Sequence, residues 1–131
     1  MIEEKRIYVA VAATVQAIRN VVQPSGRQIA QACHVVSKLR HGAIKFEYDH
    51  RDHEFDLAPF NPITTIILQV RDSAELDHVY DLLVKKKLNP VEFEDNNPEY
   101  GPGDFPTAVA ALATPKQVKG ILDYLPLWSG K

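Results

Sequence analysis

Residues 7–13, IYVAVAA, are apolar throughout and follow a charged start of Glu3, Glu4, Lys5 and Arg6. A strand with one wet face alternates apolar and polar side chains, whereas a strand that is apolar at every position must be covered on both sides. The run therefore reads as a buried central strand and calls for a layer on each face of its sheet. Residues 63–70, ITTIILQV, are β-branched and apolar and read as a second buried strand.

Helix signals follow both runs. In residues 24–40, PSGRQIAQACHVVSKLR, Ser25 can cap with Gln28 as its capping-box partner, so the helix is expected to start at Gly26. Asp72 can cap a second helix with Glu75, and Leu76, Val79, Tyr80 and Leu83 supply its apolar stripe. Lys85, Lys86 and Lys87 suit the dipole at its carboxyl end. Residues 14–23 read as an irregular connection, broken by Asn20 and Pro24. Residues 41–61 read as a polar excursion with one short helix.

A third short strand spans 91–95. The turn-rich stretch DNNPEYGPGDFP joins it to a fourth at 107–113, by a hairpin or by a longer loop. Thr114, Pro115 and Gln117 form a capping box that starts a last helix running to about Tyr124, and Trp128 is expected to pack on the body. The expected fold is an α/β single domain over residues 1–131, with a four-stranded mixed sheet, helices on both faces and the order β-α-β-α-β-β-α. In such sheets sites gather at the carboxyl ends of strands, which is where residues 26–34 would sit.

Hydrophobic residues make up 45% of the 131 and charged residues 24%, the balance of a soluble globular chain. The net charge of -2 and pI of about 6.2 argue against a generic nucleic-acid coat. A lone cysteine and the absence of a long apolar run point to a cytoplasmic protein outside the membrane.

The first helix carries the candidate chemistry. Arg27, Gln31, His34 and Lys38 share one side, and Ile29, Ala32, Cys33, Val36 and Leu39 the other. Spacing alone equally describes an ordinary solvated face. Cys33 and His34 point about 100° apart on a helix, so they cannot work as nucleophile and base, and Cys33 reads as a small core residue. His50 and His53, among Asp49, Asp52 and Asp56, could ligate a metal or form a plain charged loop. Asp95, Glu99 and Asp104 lack calcium-loop spacing, and no nucleotide-binding glycine motif or G-x-S-x-G is present. A mixed polar site of this kind can hydrolyse an ester by orienting a water.

The run G-R-Q-I-A-Q-A-C-H at 26–34 resembles the G-K-x-x-A-Q-x-x-H motif of type II, archaeal and eukaryotic, peptidyl-tRNA hydrolases, and the likeness extends over nearly the whole chain. Gly26, Arg27, Ala30, Gln31 and His34 match that motif, with Arg for Lys. Asp95, Asn96 and Asn97 fall on the family's D-A-G, where Asn97 would suit a left-handed position. Pro102 and Gly103 fall on its Pro-Gly pair, and Thr114 and Pro115 on its final G-P. Glu99 stands where the family has a loop Thr, Val22 where it has a Lys, and Thr107 is aligned with the Thr after the Pro-Gly pair.

The resemblance implies cleavage of the ester between a peptide and the 3′ ribose of tRNA by a homodimer, with no required metal or other cofactor. His34 and Asp95 would orient or activate water, Arg27 would hold a phosphate or the oxyanion, and Gln31 the ester carbonyl. Gly26, Asn97, Glu99 and Thr107 would line the substrate. Lys38, Arg40, His41 and Lys45 would give the tRNA-facing charge. The alternatives are a catalytically silent relative serving as a binding or oligomerisation module, and a ferredoxin-like regulatory domain, which strand order would separate.

Overall fold

The computed structural model describes residues 4–17, 19–49 and 63–129, and for 42–49 the backbone alone. Its elements are β1 (Arg6–Gln16), β2 (Asn20–Val22), α1 (Ser25–Asp49), β3 (Thr65–Asp72), α2 (Ser73–Lys85), β4 (Val91–Asp95), a 3-10 turn at Pro98–Tyr100, β5 (Phe105–Ala113) and α3 (Pro115–Val118). The α/β class is as expected, but the sheet has five strands where four were expected. The order is accordingly β-β-α-β-α-β-β-α.

The extra strand comes from residues 14–23, which form a hairpin and not an irregular connection. β1 runs on to Gln16, the chain reverses, and Thr14, Val15 and Gln16 pair antiparallel with Val22, Val21 and Asn20. Val15 and Val21 both point inward, onto Tyr100. That inward pairing outweighs the interruption expected from Asn20 and Pro24.

β1 is the central strand. It pairs parallel with β3 from Ile7 to Thr14 and antiparallel with β5 from Arg6 to Val11. β4 pairs antiparallel with β5 through a bulge between Phe93 and Glu94, so the connection left open by the sequence joins two adjacent strands. Thr14 pairs with both Asp72 and Val22, which puts β3 and β2 on opposite edges of β1. β1 and β3 are direct neighbours joined through α1, so their βαβ unit is not split in the ferredoxin-like manner. Because β5 opposes both β1 and β4, the strands β1, β3 and β4 all run the same way and end at one side of the sheet.

Both faces are covered. Ile7, Val9 and Val11 pack with Ala108 and Ala110 under Ala32 and Val35 of α1. Tyr8, Ala10 and Ala12 turn the other way, with Leu76, Val79 and Leu83 of α2 and with Val118, Ile121, Leu122 and Leu125. Full burial of one such Leu or Val contributes about 1.5–3 kcal/mol relative to exposure. Local signals placed α2 and α3 correctly: the Asp72 carboxylate accepts from the Glu75 N–H, and Thr114 and Gln117 close a complete capping box. The last α-helix stops at Val118, however, and the segment expected to stay helical to Tyr124 runs on in turns.

Two further corrections concern α1. It continues through Gly42 to Asp49, beyond the expected end at Arg40; one interior glycine costs a helix only about 1 kcal/mol. It starts at Ser25, and the Gln28 side chain does not form the expected capping box but turns inward to the Gln23 carbonyl. The chain's end secures the other edge of the sheet. The Gln69 N–H donates to the Pro126 carbonyl and the Trp128 N–H to the Ile67 carbonyl, so residues 126–128 lie along β3. Trp128 packs on the body as expected.

Candidate functional site

The first three turns of α1 lie over the carboxyl end of β4, and the two meet through side chains. Gln31 donates from Nε2 to Oδ2 of Asp95, the last residue of β4, at 2.7 Å. One turn earlier, Arg27 makes a two-pronged contact with Glu99 in the 3-10 turn, Nη1 to Oε2 at 2.9 Å and Nη2 to Oε1 at 3.3 Å. One turn later, the His34 ring stacks on Phe93 with centroids 4.8 Å apart. Lys38 closes the row, its Nζ donating to the Glu92 carbonyl at 2.6 Å. The four residues thus share one side, as their spacing requires, and that side borders β4 and its loop, with Gln31 buried, Arg27 half-buried and His34 and Lys38 still exposed.

The burial pattern differs from the expected apolar face. Among the described side chains of α1, Gln28, Gln31, Ala32 and Val35 are buried, at i, i+3, i+4 and i+7. Cys33, expected in the core, is exposed, and Ile29 is 48% exposed. The helix is rotated so that two glutamines point inward, and amides can be buried only if they find partners.

Gln28 finds them all. Its Nε2 donates to the Gln23 carbonyl at 2.8 Å, and its Oε1 accepts from Gln69 Nε2 at 2.9 Å and from the Trp128 indole at 3.0 Å. Gln23, also buried, donates to the Ala12 carbonyl and accepts from the Tyr100 hydroxyl at 2.9 Å. The sequence reading missed Gln23, Gln28, Gln69 and Tyr100, because every partner but one is distant along the chain. Gln31 is different. It is 2% exposed, and its Oε1 has no hydrogen-bond partner among the described residues.

Electrostatics follow the contacts. The hydrogen bond to Glu99 holds the Arg27 guanidinium protonated beyond its already high pKa, and the same bond, with the charge of Arg27, pulls Glu99 below the ordinary carboxylate range. Burial raises the Tyr100 phenol, and the nearby Asp95 charge raises it further. The cluster therefore holds Glu99 and Arg27 as charged groups beside a neutral phenol.

The remaining candidates lie around this centre. Gly26 is exposed on the first turn, and a Cβ there would meet nothing within 4 Å. Asn97 has φ -56°, outside the left-handed region its alignment with glycine suggested, and its side chain caps the turn by accepting from the Glu99 N–H at 3.0 Å. Pro102 and Gly103 line an open concavity of about 580 Å³ with Asn96, Pro98, Gly101 and Asp104. Thr107 is fully buried and donates to the Phe93 carbonyl at 3.3 Å, so it braces β5 against β4 and is not presented to a substrate. Val22 stands 74% exposed on β2. Arg40 is half-buried and His41 exposed, while the Lys45 side chain lies outside the described residues.

His50 and His53, considered as metal ligands, also lie outside them. Among the described residues no three His, Cys, Asp or Glu side chains group as a metal site, and no helix is long and apolar enough to cross a membrane. No protein-family model matches the chain, and no curated protein matches it.

Proposed function

We propose that this protein is a carboxylic ester hydrolase acting on the bond between a peptide and the 3′ ribose of tRNA. The observation that carries the reading is the Gln31–Asp95 hydrogen bond, which joins the helix motif to the carboxylate at the end of β4 across 64 positions of sequence. A carboxylate held by an amide donor, from a helix face that also carries an imidazole and a guanidinium, has the parts needed to activate a water and to stabilise an oxyanion.

In this reading Asp95 takes the proton from water, and Gln31 fixes the carboxylate so that one oxygen stays turned to the substrate. His34, held flat against Phe93, orders the water or protonates the departing ribose oxygen. Arg27 binds the phosphate or the developing negative charge. Arg40 and His41 continue the basic surface along α1 towards the tRNA, and two chains associate as a homodimer. Lys38 has a smaller part than its position suggested, because its ammonium is engaged by the Glu92 carbonyl.

The test is release of peptide from peptidyl-tRNA by the intact protein and by Asp95→Asn, at two salt concentrations. Loss of a general base lowers turnover by about 10²–10⁴-fold, and binding that uses phosphate contacts weakens steeply as salt rises. Hydrolysis unchanged in Asp95→Asn removes the proposal. The Arg27–Glu99 ion pair favours a second reading, a silent relative that binds without turning over, since it engages the cation that catalysis would use. RNA binding with no turnover in the unmodified protein selects that reading.

A further inference from the structure

Glu99 is the carboxylate that this site already holds. It reaches Arg27 with both oxygens, 72 positions along the chain, and it does so from the exposed side: the Glu99 side chain is 52% accessible against 22% for Arg27. A second guanidinium, that of Arg19 in the turn between β1 and β2, also acts on Glu99. The carboxylate is presented on a short turn whose geometry Asn97 fixes independently of Arg27. Fork-on-fork contact with guanidinium is the mode shared by carboxylates and phosphoryl groups.

We infer that Glu99 is an internal stand-in for a ligand's phosphoryl group, and that ligand binding proceeds by displacement of Glu99 from Arg27. Charge decides the class of ligand. A tethered group competes at the millimolar effective concentrations typical of short links. A free carboxylate with one charge therefore gains little over Glu99, whereas a phosphoryl group brings up to two charges and three acceptor oxygens. Once Glu99 swings out, both prongs of the Arg27 guanidinium are open to the incoming group. The clasp makes the site selective, because weakly charged anions fail to open it. The inference rests on the hydrolase reading only for naming the phosphoryl donor as RNA.

The experiment titrates the whole protein with inorganic phosphate, and separately with a short RNA that carries a 5′-terminal phosphomonoester and ends in CCA, by calorimetry. Intact protein, Glu99→Gln and Arg27→Gln are compared, with circular dichroism confirming that each is folded. The apparent affinity of a masked site is reduced by the fraction of molecules in which it is open. Freeing Arg27 is therefore expected to tighten phosphate binding about fivefold in Glu99→Gln, and Arg27→Gln to abolish it. Tightening for phosphate alone assigns a free anion, and tightening for both ligands assigns the terminal phosphomonoester of an RNA; either result upholds the displacement. Unchanged or weaker binding in Glu99→Gln overturns it, as does binding that survives Arg27→Gln or that is absent from all three proteins. Because the readout is binding, a protein without hydrolytic turnover can still satisfy it.

Discussion

Gln31 brings stability and chemistry into conflict within a single side chain. Its Nε2 serves Asp95 while its Oε1 is buried without a partner among the described residues, and an orphaned buried acceptor costs about 1–3 kcal/mol. Gln31→Leu is expected to leave thermal stability unchanged or slightly raised, while kcat falls by about tenfold or more as Asp95 loses its orientation. Denaturation and turnover measured on the same preparation check this, and a parallel fall in both would mean that the amide is structural. Gly26→Ala separates the same two demands. With open space around a Cβ there, alanine is expected to stabilise the helix by up to about 1 kcal/mol. A concurrent loss of peptide release would show that substrate approaches the bare backbone at that turn.

Among elements, α1 shows how far local pattern carries. The strands at 7–13 and 63–70 and the Asp72 and Thr114 caps were legible because each signal sits within a few residues of its effect. The face of α1 was not. Gln28 is buried because Gln69 and Trp128, 41 and 100 positions away, satisfy its amide oxygen, and no feature within the helix announces them. The cluster of Arg27, Gln31 and His34 was legible from spacing, but its approach to Asp95 and Glu99 depended on the topology of β4 and its loop.

The buried amides also make a prediction. Gln28→Leu would strand the Trp128 indole N–H and one Gln69 donor, and is expected to destabilise the protein by about 2–3 kcal/mol. Trp128→Phe, which removes only one donor, is expected to cost about 1 kcal/mol through that bond. Urea denaturation of the two variants orders the effects, and equal losses would dismiss Gln28 as the hub.

At the level of the whole molecule, charge arrangement sets the response to pH. Burial, then the charges of Glu94 and Asp77, raise the Glu92 carboxyl above its ordinary 4.5, while Asp77 is raised by burial and by Asp81. The folded protein therefore holds these protons more tightly than the unfolded chain does. Their contribution to stability is greatest at low pH and is lost as pH rises from the unfolded value through the folded one. Glu99 acts in the opposite sense: its contribution is present above the unfolded pKa and is lost as pH falls through the lowered one. Glu92→Gln is thus expected to raise Tm near pH 7 and to change it little near pH 4, as thermal melts at the two pH values would show.

The strip of chain at 126–128 sets an order of events during synthesis. Among the described residues, the outer edge of β3 is closed by residues made more than fifty positions later, the Gln69 N–H meeting Pro126 and the Ile67 carbonyl meeting Trp128. Until those residues leave the ribosome, a nascent chain carries an apolar strand with open N–H and C=O groups, which is a template for pairing with another chain. Chains interrupted shortly before Pro126 are therefore expected to self-associate more readily than chains that carry residues 126–128.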